Sequence, residues 1–359
     1  MNFDPYNNTQ QAENTDVIKQ GKRFFSRLGL ALIVLLCVYF VAQTVLMYAL
    51  LIAYPPSRNA WWFNWVLSLV PLYAVAVPAM YFVLRRLEKA PHGETYEKRS
   101  ASIGGLSVMC QKPRLTLKMW LVMLVVGFGF TYIGNFIANF VMTVLSVLTG
   151  YDYQNSLVSL TENTPVIFTF IGTCIIAPIG EEFVFRKLLI DRTRRYGDVI
   201  SILISATSFA LFHGNVFQLF YAFFLGAIFA YMYTLSGRLH WSIIAHSAIN
   251  TVGGVLIPML GEHIDLEAMT SGDINALVES VMASPLPYIL YALFTVAVYI
   301  LMPSAIVILV ISRKKLAFSE GEVKIPSERK ADTILLNAGM IIAFILFVGL
   351  TLTTLLPIG

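Results

Sequence analysis

Charged residues are scarce in this chain. Only 13% of its 359 residues are Asp, Glu, Lys or Arg, whereas 57% are hydrophobic. A soluble globular domain carries about 25% charged residues, so this composition excludes that class. Apolar runs recur from Leu28 to the C-terminus, and a helix needs about 20 such residues to cross a bilayer. We therefore predict an all-α polytopic membrane protein, a bundle of about eight to nine transmembrane helices around an intramembrane cavity.

Cysteine and histidine are also rare. The three cysteines, Cys37, Cys110 and Cys174, have no spacing typical of a disulfide framework or a zinc knuckle. No His-Glu-x-x-His motif occurs on any predicted helix. The polar N-terminal stretch is too long and too mixed for a cleavable signal peptide, so we expect the first apolar run, 28–54, to be retained.

Lysine and arginine are missing from alternate loops. The loops 150–164 and 261–287 contain neither residue, whereas the N-terminal tail, the loop 85–118 and the segment after residue 312 are basic. This alternation predicts a cytoplasmic N-terminus and an external C-terminus. The candidate spans are 28–54, 61–84, 119–149, 165–190, 198–213, 216–236, 241–260, 288–312 and 333–356.

We divide the chain into four regions on this basis. Residues 1–27 form a cytoplasmic N-terminal tail, and 28–155 form the N-terminal transmembrane helices with the long cytoplasmic loop 85–118. Residues 156–260 contain the polar groups discussed below and are the predicted functional core. Residues 261–359 comprise an acidic outer loop and the C-terminal transmembrane helices.

Two adjacent carboxylates, Glu181 and Glu182, interrupt the fourth apolar run together with Arg186. Ionisable groups within a membrane are costly to bury and commonly functional. Glu182 and Arg186 are four residues apart, so the guanidinium can reach back to that carboxylate on one helix face. Glu181 points about 100° away on the same helix and is available for another partner.

Two of the five histidines, His213 and His246, lie in apolar surroundings. His246 and Asn250 are four residues apart, so one helix face presents an imidazole and an amide. At about 1.5 Å rise per residue, Glu181, His246 and Asn250 lie at similar depths, whereas His213 lies deeper. We expect one polar cluster near the middle of the membrane that opens towards the cytoplasm.

Three motifs occur in order on successive spans: Glu-Glu-x-x-x-Arg at 181–186, Phe-x-x-x-His at 209–213 and His-x-x-x-Asn at 246–250. In this order and spacing, over about 165–256, the chain resembles the CPBP family. This family comprises CAAX-protease and bacteriocin-processing (ABI-type) intramembrane proteases, including the Ras-converting CAAX endopeptidases. The resemblance implies an intramembrane endopeptidase with a site formed by Glu181, Glu182, Arg186, His213, His246 and Asn250.

Peptide hydrolysis requires an activated water, a stabilised oxyanion and a proton for the leaving amine. A carboxylate in apolar surroundings beside a second acid is suited to act as a general base. Following both the resemblance and the chemistry, we assign Glu181 as the base and His213 as the group that holds and polarises the water. His246 and Asn250 then provide the oxyanion donors, and Glu182 with Arg186 forms a structural pair.

The cofactor remains open at this point. Glu181, His213 and His246 are three residues of types that hold divalent metals such as zinc, and the family is often classed as metalloproteases. A metal-free glutamate mechanism fits the same residues, and we favour it slightly. No other cofactor is expected.

The resemblance implies a membrane-associated peptide or protein as substrate, either lipidated or similar to a bacteriocin or pheromone precursor. We expect an integral protein of a bacterial plasma membrane that contacts lipids and has no nucleic-acid partner; the oligomeric state is left open. A non-proteolytic scaffold or bacteriocin-immunity protein of the same fold is one alternative. A proton-coupled transporter is another, since intramembrane Glu and His also relay protons, but the paired repeats typical of transporters are not found.

Overall fold

The computed structural model describes residues 5–89, 100–103, 106–109, 115–153 and 164–356. Half of the predicted cytoplasmic loop 85–118 and most of the predicted outer loop 150–164 therefore lie outside the described residues. Within them, the membrane part consists of helices, and the all-α bundle is confirmed. One antiparallel strand pair, β1 (Ser100–Ile103) and β2 (Leu106–Met109), lies in the loop 85–118.

The helices follow the apolar runs. They are α1 Pro5–Ala53, α2 Phe63–Leu84, α3 Leu117–Thr149, α4 Val166–Tyr196, α5 Asp198–Phe212, α6 Val216–Ser236, α7 Leu239–Gly261, α8 Leu266–Thr270, α9 Ile274–Ala283, α10 Pro285–Ser312, α11 Ser327–Leu335 and α12 Ala338–Thr353. Short 3₁₀ turns at Pro55–Asn59, Arg313–Lys315 and Ser327–Arg329 lie at helix ends.

Seven of the described helices are long and apolar enough to cross a membrane, and an eighth span results if α11 and α12, bent by 62°, are counted as one. The predicted fifth span, 198–213, corresponds to α5, which has 15 residues. At 1.5 Å per residue it is roughly 22 Å long, shorter than the hydrocarbon core of about 30 Å. The helix α5 is therefore too short to cross the membrane; ten of its 15 residues are buried, and it ends just before His213.

Wide helical turns precede three prolines in the membrane. In the segments Pro71–Ala76, Ile171–Ile176 and Val252–Leu256 the backbone bonds run to the fifth residue, as in Ala177 N–H to Gly172 O. Pro78, Pro178 and Pro258 follow each segment by two residues. A proline within a helix has no N–H and its ring crowds the preceding turn, and widening that turn relieves the crowding. A fourth wide segment, Phe183–Ile190, contains Arg186 and no proline.

Glycines allow several helices to touch closely. A Cβ at Gly134 of α3 would lie 2.5 Å from the Tyr221 backbone of α6, and one at Gly180 of α4 would lie 2.1 Å from the Tyr73 ring of α2. Both approaches are possible only without a side chain. Small residues at crossing points are the usual means of helix association in membranes. The first contact joins α3 to α6, and the second joins α2 to α4, which carries the glutamates.

Candidate active site

Glu182 and Arg186 form a fully buried ion pair on α4. Arg186 donates from Nε to Glu182 Oε2 at 2.9 Å and from Nη2 to Oε1 at 3.2 Å. Its Nη1 donates to the Ser205 hydroxyl at 2.6 Å, and that hydroxyl donates to the carbonyl oxygen of Phe185. Neither charged side chain has exposed surface. The spacing of four residues thus gives the expected contact, and each buried charge is compensated by the other.

The imidazole of His246 lies beside this pair. Its Nδ1 is 3.2 Å from Glu182 Oε1. Because the carboxylate paired with arginine can only accept, Nδ1 carries the hydrogen and donates it. Phe229 stacks on the imidazole at 5.1 Å between ring centroids, and Phe209 meets it edge-on at 5.8 Å. The ring orientation is therefore fixed on three sides, and Nε2 points away from Glu182. Because Nε2 then carries the lone pair, His246 does not have the N–H that its predicted role as an oxyanion donor requires.

Glu181 lies on the other side of the same imidazole. Its Oε2 is 3.7 Å from His246 Nε2, and 17% of its side chain is exposed. That separation is too long for a direct hydrogen bond and allows a water to bridge the two groups. The two adjacent glutamates thus differ in environment: Glu182 is sealed within the protein, and Glu181 is accessible.

His213 lies at the C-terminal end of α5 and is partly buried. Its Nδ1 is 2.8 Å from the carbonyl oxygen of Phe209; since a carbonyl only accepts, Nδ1 donates and Nε2 keeps its lone pair. The Phe209 ring lies 4.8 Å from the His213 ring and 5.0 Å from the Arg186 guanidinium. Phe209 is therefore the common neighbour of both imidazoles and of the arginine.

Asn250 connects α7 to α4. Its Nδ2 donates to the carbonyl oxygen of Thr173 at 2.8 Å. In the wide turn preceding Pro178, the fifth residue after Thr173 is that proline, which has no N–H to offer this carbonyl. The amide of Asn250 supplies the missing donor. One of its two hydrogens is thereby engaged, and the other is available to a bound molecule.

Tyrosines and amides border the site. Tyr73 and Tyr221 both lie within electrostatic range of the Glu181 carboxylate. The Tyr221 hydroxyl accepts from Gln218 Nε2 at 2.7 Å, and Gln218 Oε1 accepts from Asn215 Nδ2 at 2.7 Å. A chain of polar groups thus leads from the end of α5 towards Glu181.

The arrangement does not match a three-ligand metal site. Within the described residues no group of three His, Cys, Asp or Glu side chains is placed to hold a metal ion. His246 uses Nδ1 for Glu182 and approaches Glu181 with Nε2, whereas the described contacts of His213 are with Phe209. Glu181, His213 and His246 therefore do not fit the zinc alternative as they stand, and we derive no step through a metal.

Sequence reasoning overlooked several residues that contact the site. Ser205 and Phe229 were not recognised, and no spacing rule marks them, because each acts across a helix interface. Thr173 contributes a backbone carbonyl, which any residue would provide. Phe209 was visible in the sequence as the first residue of the Phe-x-x-x-His motif, and its contact with Arg186 explains why an aromatic ring suits that position.

Comparison with known proteins agrees with the motifs. Residues 163–252 match the family model described as "Type II CAAX prenyl endopeptidase Rce1-like". The match covers about a quarter of the chain and includes all three motifs. No curated protein and no solved structure gives a significant match. The match confirms the resemblance to CAAX-type proteases that the three motifs predicted.

Proposed function

We propose that this protein hydrolyses a peptide bond of a membrane-associated substrate with Glu181 as the general base. One observation carries the assignment: Glu181 is the accessible member of a chain of contacts that runs through His246 and Glu182 to Arg186. Arg186 keeps Glu182 ionised, Glu182 holds the imidazole, and the imidazole faces Glu181. Such an orienting chain behind a reactive group is the general form of an activated hydrolytic site.

In the proposed step a water lies between Glu181 Oε2 and His246 Nε2 and donates a hydrogen to each. The water oxygen attacks the carbonyl carbon of the substrate while Glu181 takes its proton. The tetrahedral intermediate then collapses: the C–N bond breaks, and Glu181 returns the proton to the leaving nitrogen. The products are a carboxylic acid and an amine, so atoms and charges balance.

Asn250 and His213 take supporting roles in this proposal. The free amide hydrogen of Asn250 is the donor for the oxyanion, since the other hydrogen is held by Thr173. His213 offers the lone pair of Nε2, because Nδ1 donates to Phe209. Both hydrogens of the water are already donated to Glu181 and His246, so this lone pair accepts a hydrogen from the amide of the substrate, and the water-holding role predicted for His213 passes to His246.

The distribution of lysine and arginine supports a site that opens towards the cytoplasm. The substrate class that suits such a site is a peptide carried to the inner leaflet by a lipid group or an apolar segment. The family of the region 163–252 supports peptide-bond cleavage over the scaffold and transporter alternatives.

The test is cleavage of a peptide library by the purified chain in detergent. We expect Glu181→Gln to lower the rate by a factor of about 100 or more, as for loss of a general base, with an unchanged unfolding profile. Glu262→Gln, an exposed glutamate of the outer side, is the matched control. Full activity of the Glu181→Gln variant would overturn the proposal.

The same cleavage assay after treatment with a chelator tests whether the reaction needs a metal ion. Activity that survives complete metal removal supports the metal-free mechanism. Activity that is lost on metal removal and restored by zinc alone would overturn the metal-free mechanism. Glu181 would then be assigned as a metal ligand.

A further inference from the structure

A cavity lies between α3, α6 and α10, and neither glutamate of the proposed active site lines it. Its volume is about 680 Å³, within the range of small-molecule sites, and aliphatic and aromatic side chains form most of its wall. Lys118 of α3 and Lys315, just after α10, line the same cavity. None of the residues of the proposed active site lines it. Its position and its charged rim require a separate explanation.

The cavity is a wedge between two helices. The helices α3 and α10 touch at Gly129, where a Cβ would lie 2.5 Å from the Ala305 Cβ and from the Leu301 carbonyl oxygen. Lys118 precedes Gly129 by about three helical turns, roughly 16 Å, and Lys315 follows Ala305 by a similar distance. The helices therefore separate from a tight crossing towards their basic ends, and the wedge opens there.

The depth of the wedge matches one leaflet. Half of the hydrocarbon core of a bilayer is about 15 Å thick, close to the distance from the crossing at Gly129 to the lysines. Acyl chains of that leaflet and the apolar wall then occupy the same depth, and the ammonium groups lie at the level of the phosphates.

Contacts with Tyr231 hold the chain segment at the open end of the wedge in place. The backbone N–H of Ala317 donates to the Tyr231 hydroxyl at 3.1 Å, and the Phe318 ring packs on that of Tyr231 at 5.4 Å between centroids. The chain after α10 is thereby held beside the wedge, which keeps Lys315 opposite Lys118. No acidic residue lines this cavity in the described part of the chain.

We propose that this wedge binds one anionic phospholipid of the leaflet on the lysine side. An acyl chain fills the space between α3, α6 and α10, and the phosphate lies between Lys118 and Lys315. Charge complementarity selects an anionic headgroup, since two ammonium groups and no carboxylate face it. Basic pockets between transmembrane helices bind anionic headgroups in this way.

Lipid binding to the purified full-length chain tests the proposal. Each basic side chain near an anionic headgroup contributes enough that loss of both corresponds to about thirty-fold weaker binding. We expect Lys118→Ala/Lys315→Ala to weaken binding of fluorescent phosphatidylglycerol by that factor and to leave phosphatidylcholine binding unchanged. Lys314→Ala/Lys324→Ala, which removes two lysines that do not line the cavity, is the matched control.

A second variant tests the apolar part. Val122 lines the wedge and is 39% exposed, so Val122→Trp places bulk in the wedge from an accessible position. We expect it to displace both lipids, and an unchanged unfolding profile shows that the fold is intact. Equal affinity of wild type and the double-lysine variant for phosphatidylglycerol would refute the proposal. So would a double variant that binds lipid normally but loses affinity for a cleaved substrate, which would assign the wedge to substrate.

Discussion

The buried pair of Glu182 and Arg186 gives the sharpest stability prediction. Replacing Arg186 with Met removes three hydrogen bonds at 2.6–3.2 Å and leaves the Glu182 carboxylate with no exposed surface and no compensating arginine. Removing one partner of a buried ion pair destabilises a protein by about 3–5 kcal/mol, because the other charge stays buried. We expect that loss for Arg186→Met and a similar one for Glu182→Met.

The double variant Glu182→Met/Arg186→Met is expected to be more stable than either single variant. No uncompensated charge remains in it, and a well-packed apolar replacement of a buried pair is often neutral. The His246 Nδ1–H loses its acceptor, which costs about 1–3 kcal/mol. The Ser205 hydroxyl keeps the Phe185 carbonyl oxygen as its acceptor. The two single losses together therefore exceed the double loss by several kcal/mol, a strong coupling.

Equilibrium unfolding of the detergent-solubilised protein in a denaturing-detergent titration, followed by circular dichroism, measures these free energies. A double-mutant cycle of the four proteins then isolates the coupling. Additive losses, or single variants within about 1 kcal/mol of wild type, would refute the reasoning. Activity gives an independent check: all three variants are expected to lose cleavage. His246 loses the Glu182 carboxylate in two of them, and in Arg186→Met that carboxylate loses the arginine that compensates its charge and holds it in place.

Two further predictions concern helix contacts. Asn250→Leu removes the hydrogen-bond donor of the Thr173 carbonyl. We expect it to lower the free energy of unfolding by about 1–3 kcal/mol and to reduce activity. A variant as stable as wild type in the same titration would contradict the inference that the Thr173 carbonyl depends on Asn250 for its donor. Gly180→Ala places a Cβ 2.1 Å from the Tyr73 ring, and overpacking typically costs about 1–3 kcal/mol. Gly349→Ala, where no atom lies within 4 Å of an added Cβ, is the control; equal effects of the two alanines would disprove the close contact.

Much of the fold follows from composition and run length. Apolar runs give the helices, and most of their bounds agree with those of the structure to within a few residues. The exceptions are the start of α1, the end of α4 and the predicted span 333–356, which the structure divides into α11 and α12 with a bend of 62°. The short helix α5 could not be distinguished from a span, because apolar character alone does not show whether a helix is surrounded by lipid or by protein. The pairing of β1 with β2 could not be predicted, because the mixed composition of the loop 85–118 shows no pattern typical of strands.

The contact of Arg186 with Glu182 could be predicted because it lies within one helix, where spacing fixes geometry. The contacts between helices could not. That His246 lies between the two glutamates depends on how α7 packs on α4, and no pattern in either segment encodes their relative rotation. The depths of the two histidines in the membrane, derived from the rise per residue, likewise do not show which imidazole reaches Glu181.

Proline links the fold of α4 to the site it carries. Pro178 widens the turn before it, and the widened turn leaves the Thr173 carbonyl without an N–H from its own helix. Asn250 supplies that hydrogen from α7, and His246, one turn earlier on the same face, is thereby carried to the two glutamates. The distance from Pro178 to Glu181 is less than one helical turn, so the same distortion also sets the direction in which the carboxylates leave the helix. The His-x-x-x-Asn spacing thus combines a docking contact with a reactive group, and this explains why an amide and an imidazole are found four residues apart.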